Sequence, residues 1–416
     1  MSDLHDLCKF PNRPINNEYL DQLKYYLESG IPSTYTIEEA YNYTNNIETE
    51  PTSTTTPLHL ICTHLPKEVS NEKQEIVNSM VSTLFEYGAG WSLIDINNDT
   101  PGCILIKRDL KSNPIYDLIV DAGVRAELLL RKVSEYDMEI IEDDEENELY
   151  KQFEQEEEQE VVPELVKEEQ AEVDDAPDAP SQNQESYLNS KLEYVDNALI
   201  TKDRKDGVMM SWESNIMKLG CDTLKKGSFI EPNELDSEVN ILNIGFGMGI
   251  IDTMIQNEIP LTKHYICEAH PDVLKKLKED GWYDRSNVVI LEGRWQDKLN
   301  EILSNGNLFF NGIYYDTFSE HYSDMLDLFD IVVGLLKPHG IFSFFNGLGA
   351  DRQVIYDVYK KLVDLDLSNY GLDCKFTEVE VPKSTLIQND KSVWDDVKRS
   401  YWSCPIYYHP EIKYID

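Results

Sequence analysis

An apolar run that passes directly into a glycine-rich loop constrains this 416-residue chain more than any other feature. Val239–Ile244 (VNILNI) has the character of a buried strand, and Gly245–Gly249 (GFGMG) follows without a break. A segment with helical character comes next. Strand, glycine loop and helix in this order are typical of a parallel α/β sheet, whose ligands bind beyond the carboxyl ends of its strands. The pattern therefore predicts a ligand site at the loop.

From about Tyr187 onward, short apolar runs alternate with helix-length segments, which predicts a mainly parallel sheet. Further strands are expected at His264–Glu268, Val288–Glu292, Gly312–Asp316 and Gly340–Phe345, and the β-rich runs Lys375–Val381 and Trp402–His409 would complete seven strands. Helices are expected near Gly249–Asn257, Asp272–Glu279, Asp324–Leu336 and Asp351–Leu362. The predicted fold is α/β, with a seven-stranded Rossmann-like domain over residues 187–416.

The spacing of glycines and a later carboxylate indicates which cofactor the loop holds. Glu268 ends the next predicted strand, where it can accept hydrogen bonds from both hydroxyls of a ribose. A dinucleotide site requires a third glycine at position 250, but the chain has Ile250 there. The G-x-G-x-G pattern favours S-adenosylmethionine, with S-adenosylhomocysteine as product, over a nicotinamide cofactor. Gly293-Arg294-Trp295 ends the third predicted strand, where it could flank the adenine.

Two carboxylates near the glycine loop are candidates for catalysis. Asp316 ends the fourth predicted strand, and Glu213 lies in an amphipathic segment, Val208–Glu213, that could close over the cleft. Together with the loop, they resemble the motifs of guanidinoacetate methyltransferase. The matching segments are Val208–Glu213, Asn243–Met248, Ile266–Glu268, Gly293–Trp295 and Tyr315–Thr317. The resemblance implies a class I methyltransferase fold in which Glu213 and Asp316 grip a guanidinium group.

The same resemblance implies a set of residues around the cofactor. They are Tyr187, Met209, Met217, Gly245, Phe246, Gly247, Met248, Gly249, Ile250, Glu268, Ala269, His270, Gly293, Arg294, Trp295 and Asp316. The related family has Glu-Cys-Asn where this chain has Glu268-Ala269-His270. With the N-terminal region described next, the chain resembles the fungal type IV protein arginine methyltransferases. That family implies methylation of the internal, delta nitrogen of arginine in a basic protein such as a ribosomal component.

The N-terminal region contains patterns typical of ankyrin repeats. Thr56-Pro57-Leu58-His59 matches the opening of such a repeat, and Asn97–Cys103 resembles another. Tyr26–Gly30, Leu84–Ala89 and Leu118–Gly123 resemble the end of a repeat's second helix. We expect an all-α domain over residues 1–135, with about three irregular ankyrin-like units in residues 18–134, that presents a surface to a protein partner. A generic helical domain is the alternative.

Negative charge is concentrated between these two regions. The stretch from Asp137 to Asp178 holds 20 acidic residues against Lys151 and Lys167, and so carries −18 of the net charge of −41. It predicts an acidic linker over residues 136–186, helical in its first half and either a solvated spacer or an attractant for a basic substrate. Such charge would repel phosphate backbones, so direct binding of nucleic acid is not expected.

Neither a metal site nor a membrane span is expected. The seven cysteines are scattered without a C-x-x-C pair. No apolar run approaches the roughly 18 residues needed to cross a bilayer, and the N-terminal segment lacks the apolar stretch of a secretory signal. The chain is expected in the cytosol or the nucleus. Two alternatives to a protein arginine methyltransferase stay open: an enzyme that methylates a small guanidino compound, and a scaffold protein with an inactive methyltransferase domain.

Overall fold

The computed structural model describes residues 3–12, 14–49, 51, 53–140, 183–228, 238–386, 392–395, 397–398 and 400–415. It divides into two compact units, one comprising the described residues up to 140 with Gln353–Val358, the other the remaining described residues. The predicted acidic linker lies almost wholly outside the described residues. No helix in the described ranges is long and apolar enough to cross a membrane.

Helices make up the regular structure described before residue 141. Their bounds are α1 Asp3–Cys8, α2 Asn17–Glu28, α3 Ile37–Asn45, α4 Pro57–His64, α5 Asn71–Glu86, α6 Pro101–Lys107 and α7 Pro114–Ile140. Two begin at prolines that follow a threonine, as the repeat patterns predict. Thr100 Oγ1 accepts a hydrogen bond from Cys103 N at 3.2 Å, which caps α6. The assignment to ankyrin-like repeats stays a prediction.

One predicted helix end in this region is wrong. Leu118–Gly123 was expected to terminate a helix, but α7 continues through Gly123 to Ile140. The residues after this glycine include good helix formers such as Ala126 and Leu128, which carry the helix forward. A Cβ at Gly123 would lie 3.1 Å from the Trp91 ring, so the glycine permits close packing instead of ending the helix.

The second unit contains a seven-stranded sheet, as predicted. Its strands are β4 Asn240–Ile244, β5 Lys263–Glu268, β6 Val288–Glu292, β7 Phe310–Tyr315, β8 Leu336–Phe344, β9 Leu372–Glu380 and β10 Ile406–Tyr414. The order is β6-β5-β4-β7-β8-β10-β9. Strands β4 to β8 are parallel, whereas β10 is antiparallel to both of its neighbours. The sheet is therefore the mixed sheet of a Rossmann-like methyltransferase fold.

Helices cover this sheet and complete two apolar cores. They are α8 Gln184–Asn189, α9 Ser214–Gly227, α10 Ile250–Glu258, α11 Pro271–Glu279, α12 Trp295–Asn305, α13 Tyr322–Leu335 and α14 Gln353–Asn369. Leu242 and Ile244 belong to one core, and Ile241, which precedes Leu242, belongs to the other. Since successive side chains of a strand point to opposite faces, β4 is buried on both sides.

A small antiparallel sheet precedes the large one. Strands β1 Leu192–Val195, β2 Ala198–Thr201 and β3 Gly207–Met210 pair in that order, and a 3₁₀ turn at Ser211–Glu213 follows. Sequence patterns did not predict this sheet. The final strand was also misplaced: it begins at Ile406, after Pro405, because the Trp402 indole N–H turns back to the Cys404 carbonyl at 2.6 Å.

Candidate active site

The glycine loop after β4 lies directly against the backbone that follows β7. Gly245 has a φ of +90°, and a Cβ there would lie 1.9 Å from the carbonyl oxygen of Asp316. The Asn243 side-chain amide restrains the loop: it donates to the Gly245 carbonyl at 2.8 Å and to the Asp252 carboxylate at 2.9 Å. Tyr194 of β1 donates to the Gly247 carbonyl at 3.0 Å. Only glycine fits at position 245, and the loop is fixed before any ligand arrives.

Glu268, the last residue of β5, joins this loop to the one that follows its own strand. One carboxylate oxygen accepts the Phe246 N–H at 2.9 Å, and the other accepts those of Ala269 at 2.8 Å and His270 at 2.7 Å. Burial raises the pKa of Glu268, and these backbone donors act against that rise. The carboxylate is thus held at the carboxyl edge of the sheet by backbone amides.

A cavity, the strand-end cavity, opens where β4, β5, β6 and β7 end. Ten of the sixteen residues predicted around the cofactor line it: Tyr187, Met209, Gly245, Gly247, Glu268, Ala269, Gly293, Arg294, Trp295 and Asp316. Lining residues that sequence patterns did not predict include Gln184, Leu188, Val208, Thr317, Phe318 and Glu320. The cavity therefore lies at the place that the strand–loop–helix pattern indicates.

The other six predicted cofactor residues do not line this cavity: Met217, Phe246, Met248, Gly249, Ile250 and His270. Met217 is fully buried in the core, and the Phe246 ring packs edge-on against Trp282 at 5.3 Å. His270 lies behind Tyr187, with ring centroids 4.8 Å apart, and donates to the Tyr187 carbonyl at 3.1 Å. The family resemblance implied all six of these residues. In the structure they lie outside the lining of this cavity, and His270 supports the lining from behind through Tyr187.

A second cavity, the Glu213 cavity, adjoins the first. It shares Val208, Asp316, Thr317, Phe318 and Glu320 with the strand-end cavity and adds Glu213 and Tyr401. Glu213 ends the 3₁₀ turn after β3 and is 2% exposed. The two predicted catalytic carboxylates, more than 100 positions apart in sequence, therefore line one cavity.

The surroundings of these carboxylates disfavour their charged forms. Burial, and then the charge of Asp316, raise the pKa of Glu213 well above its ordinary value, although hydrogen bonds from Tyr401 O–H and Met210 N–H oppose the rise. Burial, and then the charge of Asp252, raise the pKa of Asp316 to about 7. Asp316 Oδ2 is buried without a hydrogen-bond partner, and among the described residues neither carboxylate forms an ion pair. The cavity is suited to a cation.

Aromatic side chains from the C-terminal segment form part of the Glu213 cavity and its surroundings. The Tyr401 ring packs edge-on against Trp394 at 4.8 Å and lies 6.4 Å from Trp212. Trp212 in turn lies 5.7 Å from Trp402. Sequence patterns had assigned none of these residues to the site, because Tyr401 meets Glu213 across 188 positions of chain.

The described residues contain no group of three or more side chains arranged to hold a metal ion.

Comparison with known proteins places the chain in a family. Residues 206–367 match the family model of guanidinoacetate N-methyltransferase. Over the full length of both chains, this one is 65% identical to "Protein arginine N-methyltransferase 2" of Debaryomyces hansenii and 49% identical to that of Saccharomyces cerevisiae. The chain belongs to the protein arginine N-methyltransferase 2 family. Membership confirms the predicted enzyme class, an S-adenosylmethionine-dependent methyltransferase.

Proposed function

We propose that this methyltransferase transfers one methyl group to the internal, delta nitrogen of an arginine in a basic protein. The observation that carries the proposal is the pair Glu213 and Asp316, which line one cavity with no ion pair among the described residues. Each buried carboxylate needs a positive charge or a proton to compensate it. A guanidinium supplies that charge and enough N–H donors to bind both carboxylates.

The strand-end cavity fits S-adenosylmethionine by two observations. Gly245 and Gly247 of its glycine loop line the cavity with bare backbone, and its wall includes the carboxylates Glu268 and Asp316. When bound, S-adenosylmethionine supplies an electrophilic methyl group on a positively charged sulfur. We assign Glu268 to the ribose hydroxyls and Trp295, which follows β6, to one side of the adenine.

The two carboxylates would orient the acceptor rather than deprotonate it in advance. A free guanidinium has a pKa of about 13.8, so that removing its proton at pH 7 costs about 9 kcal/mol. Carboxylates that bind the terminal amino groups hold positive charge there and twist the group out of conjugation. This leaves the lone pair of the internal nitrogen facing the methyl group, and positioning in line supplies much of the acceleration.

Asp316 is the better proton acceptor of the pair. Glu213 is restrained by Tyr401 O–H and Met210 N–H, whereas Asp316 Oδ2 has no hydrogen-bond partner and its pKa is raised to about 7. A base whose pKa lies near the working pH is best placed for proton transfer. When the internal nitrogen takes up the methyl group that bound S-adenosylmethionine would supply, its proton would pass to Asp316.

The lining of the Glu213 cavity favours a protein-bound arginine over a free guanidino acid. Its described residues include Glu213, Asp316 and Glu320 but no lysine or arginine. The carboxylate of guanidinoacetate would meet negative charge there and find no lysine or arginine among the described lining residues. The methylene arm of an arginine side chain carries no such charge and can lie against Phe318 and Phe345, which also line the cavity.

The proposal extends to partners and location. The N-terminal helices, as an ankyrin-like domain, would present a surface to a protein partner, and the acceptor would be a basic protein such as a ribosomal component. The enzyme would act in the cytosol or the nucleus. The net charge of −41 supports a basic substrate.

Fragment mass spectrometry of a methylated protein substrate tests this function. The expected result is a single methyl group on the internal guanidino nitrogen. A methyl on a terminal nitrogen would overturn the proposed acceptor geometry, and faster methylation of guanidinoacetate than of an arginine peptide would favour the small-molecule alternative. A chain that bound no S-adenosylmethionine in calorimetry would be an inactive scaffold.

A further inference from the structure

Glu320 lies where the two cavities meet and has no role in the proposed reaction. It lines both the strand-end cavity and the Glu213 cavity. It belongs to the loop between β7 and α13, in which Ser319 has a φ of +66°. This left-handed residue turns the chain, so that the Glu320 side chain points back toward the end of β7, where it contacts Tyr315.

Four neutral groups donate hydrogen bonds to the Glu320 carboxylate. Oε1 accepts from the Trp295 indole N–H at 2.7 Å and from the Gln184 amide at 2.5 Å. Oε2 accepts from the Thr317 hydroxyl at 2.8 Å and from the Tyr315 hydroxyl. Four donors match the acceptor capacity of a carboxylate, and bonds to a charged acceptor are stronger than those between neutral groups.

These donors come from different sides of the site. Trp295 and Gln184 line the strand-end cavity but not the Glu213 cavity. Thr317 lines both and directly follows Asp316. One carboxylate oxygen therefore holds the wall on the cofactor side, and the other holds the segment that carries a carboxylate of the acceptor site.

We propose that Glu320 is a positioning residue that couples the binding of the methyl donor to the binding of the acceptor arginine. This inference rests on the proposed function, because it takes the strand-end cavity as the donor site and the Glu213 cavity as the acceptor site. A ligand that orders Trp295 also fixes Glu320, and through it Thr317 and the neighbouring Asp316. By thermodynamic linkage, each ligand then strengthens the binding of the other by the same factor.

Glu320→Gln tests the coupling between the two ligands without changing the size of the side chain at position 320. The amide keeps the size of the side chain but presents two N–H donors in place of one oxygen, so that one of the two donor pairs faces another donor. The connection between the two cavities is then broken on one side. Glu292→Gln is the matched control, because Glu292 also accepts a tyrosine hydroxyl, that of Tyr283 at 2.8 Å, but lines neither cavity.

The experiment measures the Kd of S-adenosylhomocysteine by calorimetry on the full chain, alone and with saturating N-acetyl-arginine N-methylamide. In the wild type and in Glu292→Gln, the blocked arginine should lower this Kd by about 5-fold or more. In Glu320→Gln, the ratio of the two Kd values should be close to one. Thermal unfolding of the three proteins shows whether each is folded.

Coupling that persists in a folded Glu320→Gln variant would overturn the proposal, as would a wild type in which the two ligands bind independently. Independent binding in the wild type leaves the proposed function intact, whereas a wild type that does not bind the blocked arginine overturns the acceptor site and this inference with it.

If Glu320→Gln does not fold, the single variants Trp295→Phe and Thr317→Val and their double variant replace it. Coupling through Glu320 requires their effects on the two Kd values to be non-additive, and additive effects would contradict it.

Discussion

The Tyr401 hydroxyl donates a hydrogen bond to the Glu213 carboxylate, so a residue near the C-terminus restrains a catalytic candidate that follows β3. This bond lowers the pKa of Glu213, whereas burial and the charge of Asp316, the larger effects, raise it. Tyr401 therefore favours the charged form, which is the form that binds a guanidinium. Tyr401 therefore contributes to the electrostatics of the Glu213 cavity as well as to its lining.

Replacing Tyr401 with phenylalanine should move the acidic limb of the pH profile of kcat/KM to higher pH. The variant keeps the ring but removes the donor, so that the pKa of Glu213 rises further. The KM for an arginine peptide should increase more than kcat falls. Tyr283→Phe, which removes a hydroxyl from Glu292 outside both cavities, should leave the profile unchanged. An unshifted profile in Tyr401→Phe would contradict the role given to this hydrogen bond.

Glu213→Gln and Asp316→Asn should each reduce turnover by about 100-fold or more, since each removes a charge that orients the acceptor. Their effects on cofactor binding should differ. Asp316 lines the strand-end cavity and Glu213 does not, so only Asp316→Asn should weaken S-adenosylmethionine in calorimetry. Glu301→Gln, an exposed carboxylate on α12, controls for the loss of one negative charge. Near-normal turnover in both Glu213→Gln and Asp316→Asn would contradict the proposed mechanism.

The affinity for a blocked arginine should increase as the pH rises from 6 to 8. Asp316 has a pKa raised to about 7, so it is largely protonated at pH 6 and becomes charged as the pH passes through 7. The guanidinium stays protonated throughout. Below pH 7, release of one proton on binding gives a change of up to about tenfold in Kd per pH unit. Calorimetry at several pH values measures this slope, which Asp316→Asn should reduce, although Glu213, whose pKa is also raised by burial, remains; a Kd that is constant over the range would refute the linkage.

Gly245→Ala should abolish cofactor binding, because the new Cβ would lie 1.9 Å from the Asp316 carbonyl oxygen. Gly306→Ala is a matched control: Gly306 also has a positive φ, +64°, but its Cβ would meet nothing within 4 Å. The control should lose only about 1 kcal/mol of stability to its left-handed backbone and keep its activity. Equal loss of S-adenosylmethionine binding in the two variants would show that backbone strain, and not the contact with Asp316, is responsible.

Strands β4 and β7 could be predicted because they are buried along their whole length and are therefore largely apolar in sequence. Helix α12 was missed although its signal was present. Trp295, Leu299 and Ile302 recur with helical spacing, but Trp295 had been assigned to the cofactor loop. Strands β1 to β3, with four residues each, are too short to give a periodic pattern.

Residues of the site were predictable where backbone geometry fixes the direction of the side chain. Glu268 and Asp316 follow from the rule that ligands bind beyond the carboxyl ends of parallel strands. Glu320 and Tyr401 could not be found in this way. Glu320 contacts Gln184, and Tyr401 contacts Glu213, across more than 100 positions of chain. The local sequence around these residues does not predict such contacts.

In the proposed reaction, the charges of the two carboxylates Glu213 and Asp316 have a consequence for the full reaction cycle. Before transfer, a sulfonium and a guanidinium bring two positive charges to the region that Glu213 and Asp316 line. After transfer, the sulfur is neutral, the methylated guanidinium keeps one positive charge, and one proton resides on a carboxylate. Two carboxylates therefore match the cationic charge at both stages. The spent thioether loses the attraction that held its sulfonium precursor, so electrostatics favours exchange of the used cofactor for a fresh one.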